Sequence, residues 1–310
     1  MLRRIWLPFE SVTEAEAAVG PIPNGLVVDC FLGDGTWPDS VAEVELVVAP
    51  YMMGPEKVLA RVDEMTSLKA VQLLSAGFES YLPYLRPGML LANAAGVHDA
   101  STAELAVALA LVANRRLDHY ARNMTTGTWR LEFGESLADR RVLIVGYGRI
   151  GAAIEARLAG FEVAGVTRVA RRARHDDPPV HSIVDLHRLL PEADVVFVIT
   201  PLTPDTEGLI GARELALLPD GALLVNVSRG RVVDTEALAA ETATGRLRAA
   251  LDVTEPEPLP ADHPLWHHDG VFISPHCGGQ SDAFYPRMHA LVRQQLARFA
   301  AGERLANLVS

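Results

Sequence analysis

The sequence predicts an α/β protein made of two domains, each built on a parallel sheet. Three observations carry this. Short apolar runs alternate with helical patterns along all 310 residues. The runs are continuous in Val, Leu and Ile, the pattern of strands covered on both faces. A length of 310 residues suits two domains better than one.

Strands are expected at residues 4–8, 26–30, 46–49, 70–74 and 90–93, with a helix over 55–65. A long helix is expected from Ser101 to about residue 122. Ser101 is a suitable N-cap, and Glu104 stands three residues on, the capping-box spacing. The alternation then resumes, with strands at 142–145, 162–167, 195–199, 223–227, 249–253 and 271–274 and a closing helix over 281–301. Strands separated by helices imply crossovers and parallel pairing. Residues 1–97 with 281–310 are expected to form one domain, and 98–280 the other.

Composition narrows the function. Apolar residues make up 49 % and charged residues 22 %, enough to bury sizeable cores. The net charge of −11 opposes a phosphate backbone, so nucleic acid is not an expected partner. Cys30 and Cys277 lie far apart with no metal-ligand spacing, as in a reducing compartment. No metal is expected. The longest uncharged apolar run, 105–113, is half a membrane span and reads as a core helix. The basic N-terminus has too short an apolar run for a signal sequence, and Glu10 interrupts it. The expectation is a cytoplasmic protein without a membrane partner.

Residues 141–154 read R-V-L-I-V-G-Y-G-R-I-G-A-A-I. Gly146, Gly148 and Gly151 form G-x-G-x-x-G between a buried strand and a helix. The first glycine permits the turn, the second lets a pyrophosphate approach the backbone, and the third lets helix pack on strand. The helix N-terminus offers free N–H groups to phosphate. This predicts a Rossmann-like dinucleotide site. An acid about 20 residues on binds the ribose 2′-hydroxyl of NAD. The expected position here is Thr167, followed by Arg168 and then Arg171 and Arg172. No carboxylate repels a 2′-phosphate, and guanidinium groups bind one well. NADP is therefore the expected cofactor, with NAD beside a solvated basic loop as the alternative.

Further motifs follow. Residues 201–206 read P-L-T-P-D-T; 224–238 read L-V-N-V-S-R-G-R-V-V-D-T-E-A-L; 250–260 read A-L-D-V-T-E-P-E-P-L-P; and 273–279 read I-S-P-H-C-G-G. With the glycine loop, these make the chain resemble the D-2-hydroxyacid dehydrogenase family over about residues 68–276. The resemblance implies two Rossmann-like domains with the active site in the cleft between them. Residues 1–97 with 281–310 would be the substrate lid and 98–280 the dinucleotide domain. It also implies a catalytic set of Arg229, Glu257 and His276. Implied cofactor contacts are Arg149, Ile150, Thr200, Pro201, Thr206, Val227, Asp252 and Gly278, beside the glycines, Thr167 and Arg168. Glu255 competes with Glu257, and spacing from Asp252 favours Glu257. The family's carboxylate-binding loop matches Ala76 and Gly77, whose small side chains expose N–H groups. Tyr51, Met52 and Met53 are candidates for the pocket lining. A homodimer through the apolar helix 104–114 and the segment 129–133 is implied as well. The sequence stops at residue 310, so the regulatory domain of some phosphoglycerate dehydrogenases is not expected.

The chemistry suits these residue types. Reducing a 2-oxo acid requires holding a carboxylate, protonating a carbonyl oxygen and delivering a hydride. A guanidinium fork fits two carboxylate oxygens and stays charged. Histidine changes charge near neutral pH, and an adjacent carboxylate favours its imidazolium. The cofactor supplies the hydride. Two rivals remain: a catalytically idle NAD(P)-sensing protein on the same fold, which needs no proton donor, and formate or phosphite oxidation. Formate dehydrogenases typically pair their histidine with glutamine, against which Glu257 counts.

Overall fold

The computed structural model describes residues 2–175 and 177–309. The chain forms two compact units, Met1–His98 with Asp282–Ser310, and Asp99–Ser281.

Among the described residues of the first unit, five strands make one sheet. They are β1 (Arg3–Leu7), β2 (Leu26–Cys30), β3 (Val44–Val48), β4 (Ala70–Gln72) and β5 (Leu90–Ala92). Their order is β2-β1-β3-β4-β5, and every pair is parallel. Ile5, Leu7, Leu46 and Val48 pack with Ala15 and Val19 of α1 (Val12–Val19) and with Leu291, Val292 and Leu296 of the last helix, Phe284–Ala301. Trp6, Val47 and Leu91 belong to a second core with Phe31, Val58, Met65 and Tyr81. The helix expected over 55–65 is only α2 (Pro55–Val58). The apolar positions that suggested it are buried, but short bonds such as Val62 N–H to Leu59 O and Met65 N–H to Val62 O carry the chain there as successive tight turns.

The second unit holds seven described strands: β6 (Arg141–Val145), β7 (Gly165–Ala170), β8 (His181–Ser182), β9 (Val195–Val198), β10 (Leu223–Asn226), β11 (Arg248–Leu251) and β12 (Val271–Ile273). They lie in the order β12-β11-β10-β9-β6-β7-β8, all parallel. Helices α3 (Asp99–Asn114), α4 (Leu117–Thr125), α5 (Arg149–Leu158), α6 (Leu186–Leu189), α7 (Ala212–Leu217) and α8 (Thr235–Ala243) complete it. Along β6, Leu143 and Val145 enter one core and Val142 and Ile144 the other. Successive strand residues face opposite ways, so a sheet covered on both sides needs them all apolar.

Two expectations are corrected here and one is narrowed. The helix expected over 101–122 starts at Asp99 and breaks where Arg116 adopts φ 56°, giving α3 and α4. Ser101 lies inside the first turn rather than capping it, and its hydroxyl meets that of Ser281 at 2.6 Å. Second, the apolar residues of helix 104–114 serve mainly the unit's own core, while Ala108 is exposed and Leu105, Leu111 and Val112 are half-buried. Ala106, Val107, Leu109, Ala110 and Ala113 fill the unit's own core against β6, β9 and β10, which is why that helix is apolar on most faces. Third, the strand expected at 162–167 lies at Gly165–Ala170, because Glu162 sits in a left-handed turn. No helix among the described residues is long and apolar enough to cross a membrane.

Candidate active site

The glycine turn leaves β6. Gly146 has φ 106°, and a Cβ there would stand 2.6 Å from the Ile199 carbonyl. A Cβ on Gly151 would meet Gly146 O at 3.0 Å and the Ile144 side chain at 3.2 Å, so helix and strand touch through it. Before Gly148 there is open space for 4 Å, room that a ligand can use. Gly148 caps α5, whose first N–H groups are the expected phosphate donors. The buried Thr200 hydroxyl, next to Ile199, has no hydrogen-bond partner among the described residues. A buried polar atom without a partner is uncommon and points to a ligand or water at this turn. A dinucleotide fits such a cradle. Ile150 is half-buried and packs on the core, Pro201 is exposed, and Val227 is buried. The exposed Arg149 pairs with Asp99 at 2.8 Å. Thr206 binds within its own loop, donating to Pro201 O at 2.6 Å and accepting from Thr203 N–H at 2.8 Å.

Arg229, Glu257 and His276 follow three adjacent strands. The register sets Asn226 beside Leu251 and Leu251 beside Ile273. Arg229 and His276 each stand three residues beyond those level strand ends, and Asp252 follows β11 directly. Asn226 shapes the first turn: its side-chain oxygen accepts from Ser228 N–H at 3.0 Å and Ser228 Oγ at 2.7 Å. Arg229 is half-buried, with Nη1 donating to Ser228 O at 2.7 Å. At Gly230 a Cβ would fall 1.8 Å from Thr254 O, so this turn lies tight against the segment carrying Glu257.

Asp252 is buried and organises the histidine loop. Its oxygens accept from Ser274 Oγ at 2.6 Å, Cys277 N–H at 2.9 Å and Gly278 N–H at 2.8 Å. Gly278 is required there, since a Cβ would lie 2.9 Å from Asp252 Oδ2. Asp252 O also accepts His276 N–H at 2.8 Å. The aspartate expected to touch cofactor is thus used three times inside the chain. Burial and the nearby Asp252 raise the Cys277 thiol, which stays protonated at neutral pH. His276 itself is held at φ 50°, a conformation that costs about 1 kcal/mol outside glycine and recurs at functional sites. Its Nδ1 lies 2.5 Å from Glu257 Oε1. Glu257, not Glu255, is therefore the partner; the Glu255 backbone N–H binds Thr235 instead. A carboxylate accepts, so Nδ1 carries the hydrogen, and Nε2 has no hydrogen-bond partner among the described residues.

Residues 107–278 match the family described as D-isomer specific 2-hydroxyacid dehydrogenase, NAD binding domain. A glyoxylate reductase of Korarchaeum cryptofilum is 36 % identical over 72 % of this chain and 70 % of its own length. A glyoxylate reductase of Thermofilum pendens is 33 % identical over 82 % of this chain and 79 % of its own. A D-isomer specific 2-hydroxyacid dehydrogenase of Xanthobacter autotrophicus Py2, solved with NADPH and MES, superposes with a TM-score of 0.80 at 28 % identity, covering 99 % and 98 % of the two chains. The chain belongs to the D-2-hydroxyacid dehydrogenase family. It is a D-specific, NAD(P)-dependent oxidoreductase acting on the CH–OH group of 2-hydroxy acids.

The position expected to bind the adenosine ribose falls on β7. Thr167 pairs with Leu143 and Arg168 with Ile144, so both lie inside the strand, below the glycine turn. Neither stands at the tip of the strand. Arg168 Nε donates to Glu155 Oε2 at 2.8 Å, Nη2 bonds the other oxygen, and the Tyr147 hydroxyl joins them at 2.5 Å. Burial alone would raise the Glu155 carboxyl, but hydrogen bonds from Arg168 and Tyr147 outweigh it and hold it below the ordinary range. The residues at the tip of β7 are Ala170 and the exposed Arg171 and Arg172. Arg174 returns to the turn, donating to Tyr147 O at 2.9 Å. Tyr147 and Glu155 went unread in the sequence because Arg168 stands far along the chain from both, 13 residues from Glu155, on another element.

In the first unit, the loops after β3 and β4 hold the other candidates. Ser75 Oγ donates to Gly77 O at 2.8 Å, and Asn93 Nδ2 to Ala76 O at 2.8 Å. The N–H groups of Ala76 and Gly77 have no partner among the described residues. Met52 is exposed with φ 63°. Its neighbours are anchored: Tyr51 stacks on Phe284, and Met53 O accepts from the Tyr81 hydroxyl at 2.7 Å. A cavity of about 590 Å³ in this unit is lined by Arg4, Asp29, Cys30, Trp37 and Asp39 among others, and by none of the expected site residues.

Proposed function

We propose that the chain reduces a small 2-oxo acid of the glyoxylate or hydroxypyruvate type, with NADPH preferred, and that Arg229, Glu257 and His276 carry the chemistry. The observation that supports this most is the His276–Glu257 pair, at a strand end two strands from that of Arg229 and level with it. The bound nicotinamide supplies the hydride. The Arg229 guanidinium holds the substrate carboxylate and polarises the carbonyl. His276 Nε2 donates a proton to the carbonyl oxygen as it becomes an alkoxide. Glu257 accepts from Nδ1–H and so fixes the ring's orientation and tautomer. Oxidation of the hydroxy acid runs these steps backward. The free Ala76 and Gly77 N–H groups suit a second hold on the carboxylate, which makes the first unit the substrate domain and the second the dinucleotide domain. A cofactor sensor without turnover has no use for the His276–Glu257 pair.

Arg171 and Arg172 favour the 2′-phosphate of NADPH, a role that the Glu155-bound Arg168 does not share. The segment 129–133 suits a homodimer: Trp129, Leu131 and Phe133 are exposed, while Glu132 between them is pinned by His119 at 2.9 Å and Tyr120 at 2.8 Å. Both cysteines are free, as suits the cytoplasm. A panel of small 2-oxo acids with NADPH and NADH, followed by nicotinamide absorbance, tests the reading. Turnover of glyoxylate or hydroxypyruvate with NADPH favoured is expected; no turnover on any 2-oxo acid contradicts it.

A further inference from the structure

Two segments connect the units, one through residues 98–99 and the other through 281–282. His98 closes the first unit's opening segment and is buried, with 7 % of its surface exposed. Its Nε2 lies 3.1 Å from Leu74 O. A carbonyl only accepts, so Nε2 carries the hydrogen and donates it. Leu74 immediately precedes the turn whose Ala76 and Gly77 N–H groups are free. The His98 ring also lies flat against Phe284, with centroids 5.3 Å apart and planes 9° apart. Tyr51 completes the stack, 4.2 Å from Phe284 and 5.7 Å from His98. One ring therefore touches the end of β4, the loop after β3 and the first turn of the last helix.

The strand-end chemistry of the second unit makes no demand on this histidine. A leucine would fill the space without the cost of burying an imidazole. What the imidazole adds is the donor to Leu74 O and a flat face for two other rings.

We propose that His98 is a positioning residue for substrate, fixing the 75–77 turn through Leu74 and the Tyr51–Met52 loop through the ring stack. This rests on the reading that the 75–77 turn binds the carboxylate of a 2-oxo acid. His98 does not itself touch substrate. Displacing a binding loop by a fraction of an ångström weakens binding of the group it holds, while a proton donor carried on another unit keeps its geometry.

The test uses the full chain, NADPH and the best 2-oxo acid of the panel. His98→Phe keeps a flat ring and loses the donor; His98→Gln keeps a donor and loses the ring. His98→Phe is expected to raise KM for the oxo acid about tenfold, with kcat within about twofold and the Kd for NADPH, read by fluorescence, unchanged. His98→Gln recovers most of that KM. Tyr51→Ala takes one ring out of the stack with the donor intact and raises KM by a smaller factor, about that of His98→Gln, which keeps the proposal testable if His98→Phe does not fold. If KM stays at its wild-type value while Tm falls, or if KM, kcat and Kd shift together, His98 is structural only and the proposal is overturned. A wild-type chain inactive on every 2-oxo acid overturns the functional reading itself, so the two failures are distinguishable.

Discussion

The strand ends of the second unit and the loops of the first both carry candidate site residues, and they are built differently. Around His276 nearly every polar group is bound inside the chain: Asp252 takes three donors and Glu257 takes the ring. Around Ala76 and Gly77 the side-chain bonds hold the carbonyls and leave the N–H groups free. The first region is fixed in advance so that one nitrogen points outward. The second offers bare donors and depends on neighbours such as His98 for its position. Substitutions in the first should therefore act on the rate of chemistry or on folding, and those in the second on substrate affinity.

Arg229→Ala breaks this division most sharply. It should cost on the order of 10³-fold in kcat/KM for the 2-oxo acid, with NADPH affinity kept; a near-normal value removes Arg229 from the chemistry. Asp252→Ala orphans three donors at once and should destabilise the fold by about 3 kcal/mol or more, read as a lower denaturation midpoint. An unchanged midpoint means that the loop does not need its organiser. Arg171→Ala with Arg172→Ala should weaken NADPH about tenfold and leave NADH alone, as titration of each cofactor will show; equal loss for both cofactors removes the 2′-phosphate role.

The smallest effect concerns Glu155. Its folded carboxyl lies below the ordinary range because Arg168 and Tyr147 bind it against the opposing effect of burial. A depressed carboxylate contributes stability that is fully present above the unfolded value of about 4.3 and is lost as pH falls through the lower folded value. Glu155→Gln should therefore lower stability at pH 7 and flatten the acid limb of the stability profile. A variant with the wild-type acid limb contradicts the assignment.

Much of this was legible in the sequence, for physical reasons that differ by region. Buried strands such as Val195–Val198 announce themselves because both faces are covered. Gly146, Gly148 and Gly151 could be read because each fills a distinct steric need. The end of β7 could not be read, since a three-residue shift set by the turn at Glu162 looks the same in an apolar run. That shift moved attention to Arg168, whose engagement with Glu155 depends on helix–strand packing rather than spacing. The helix 104–114 was ambiguous for a related reason: apolar residues on most faces signal burial, and the core that buries most of them comes from strands more than 25 residues on. His98 gave no signal, because one histidine among ten declares itself only through the three segments it joins.

The most direct test follows one turnover of NADPH absorbance in His276→Asn mixed with the preferred 2-oxo acid. A loss of roughly 10²- to 10⁴-fold in the observed rate is expected, with the Kd for NADPH unchanged. A rate within about threefold of wild type would mean that another group delivers the proton, and the His276–Glu257 pair would no longer explain the activity.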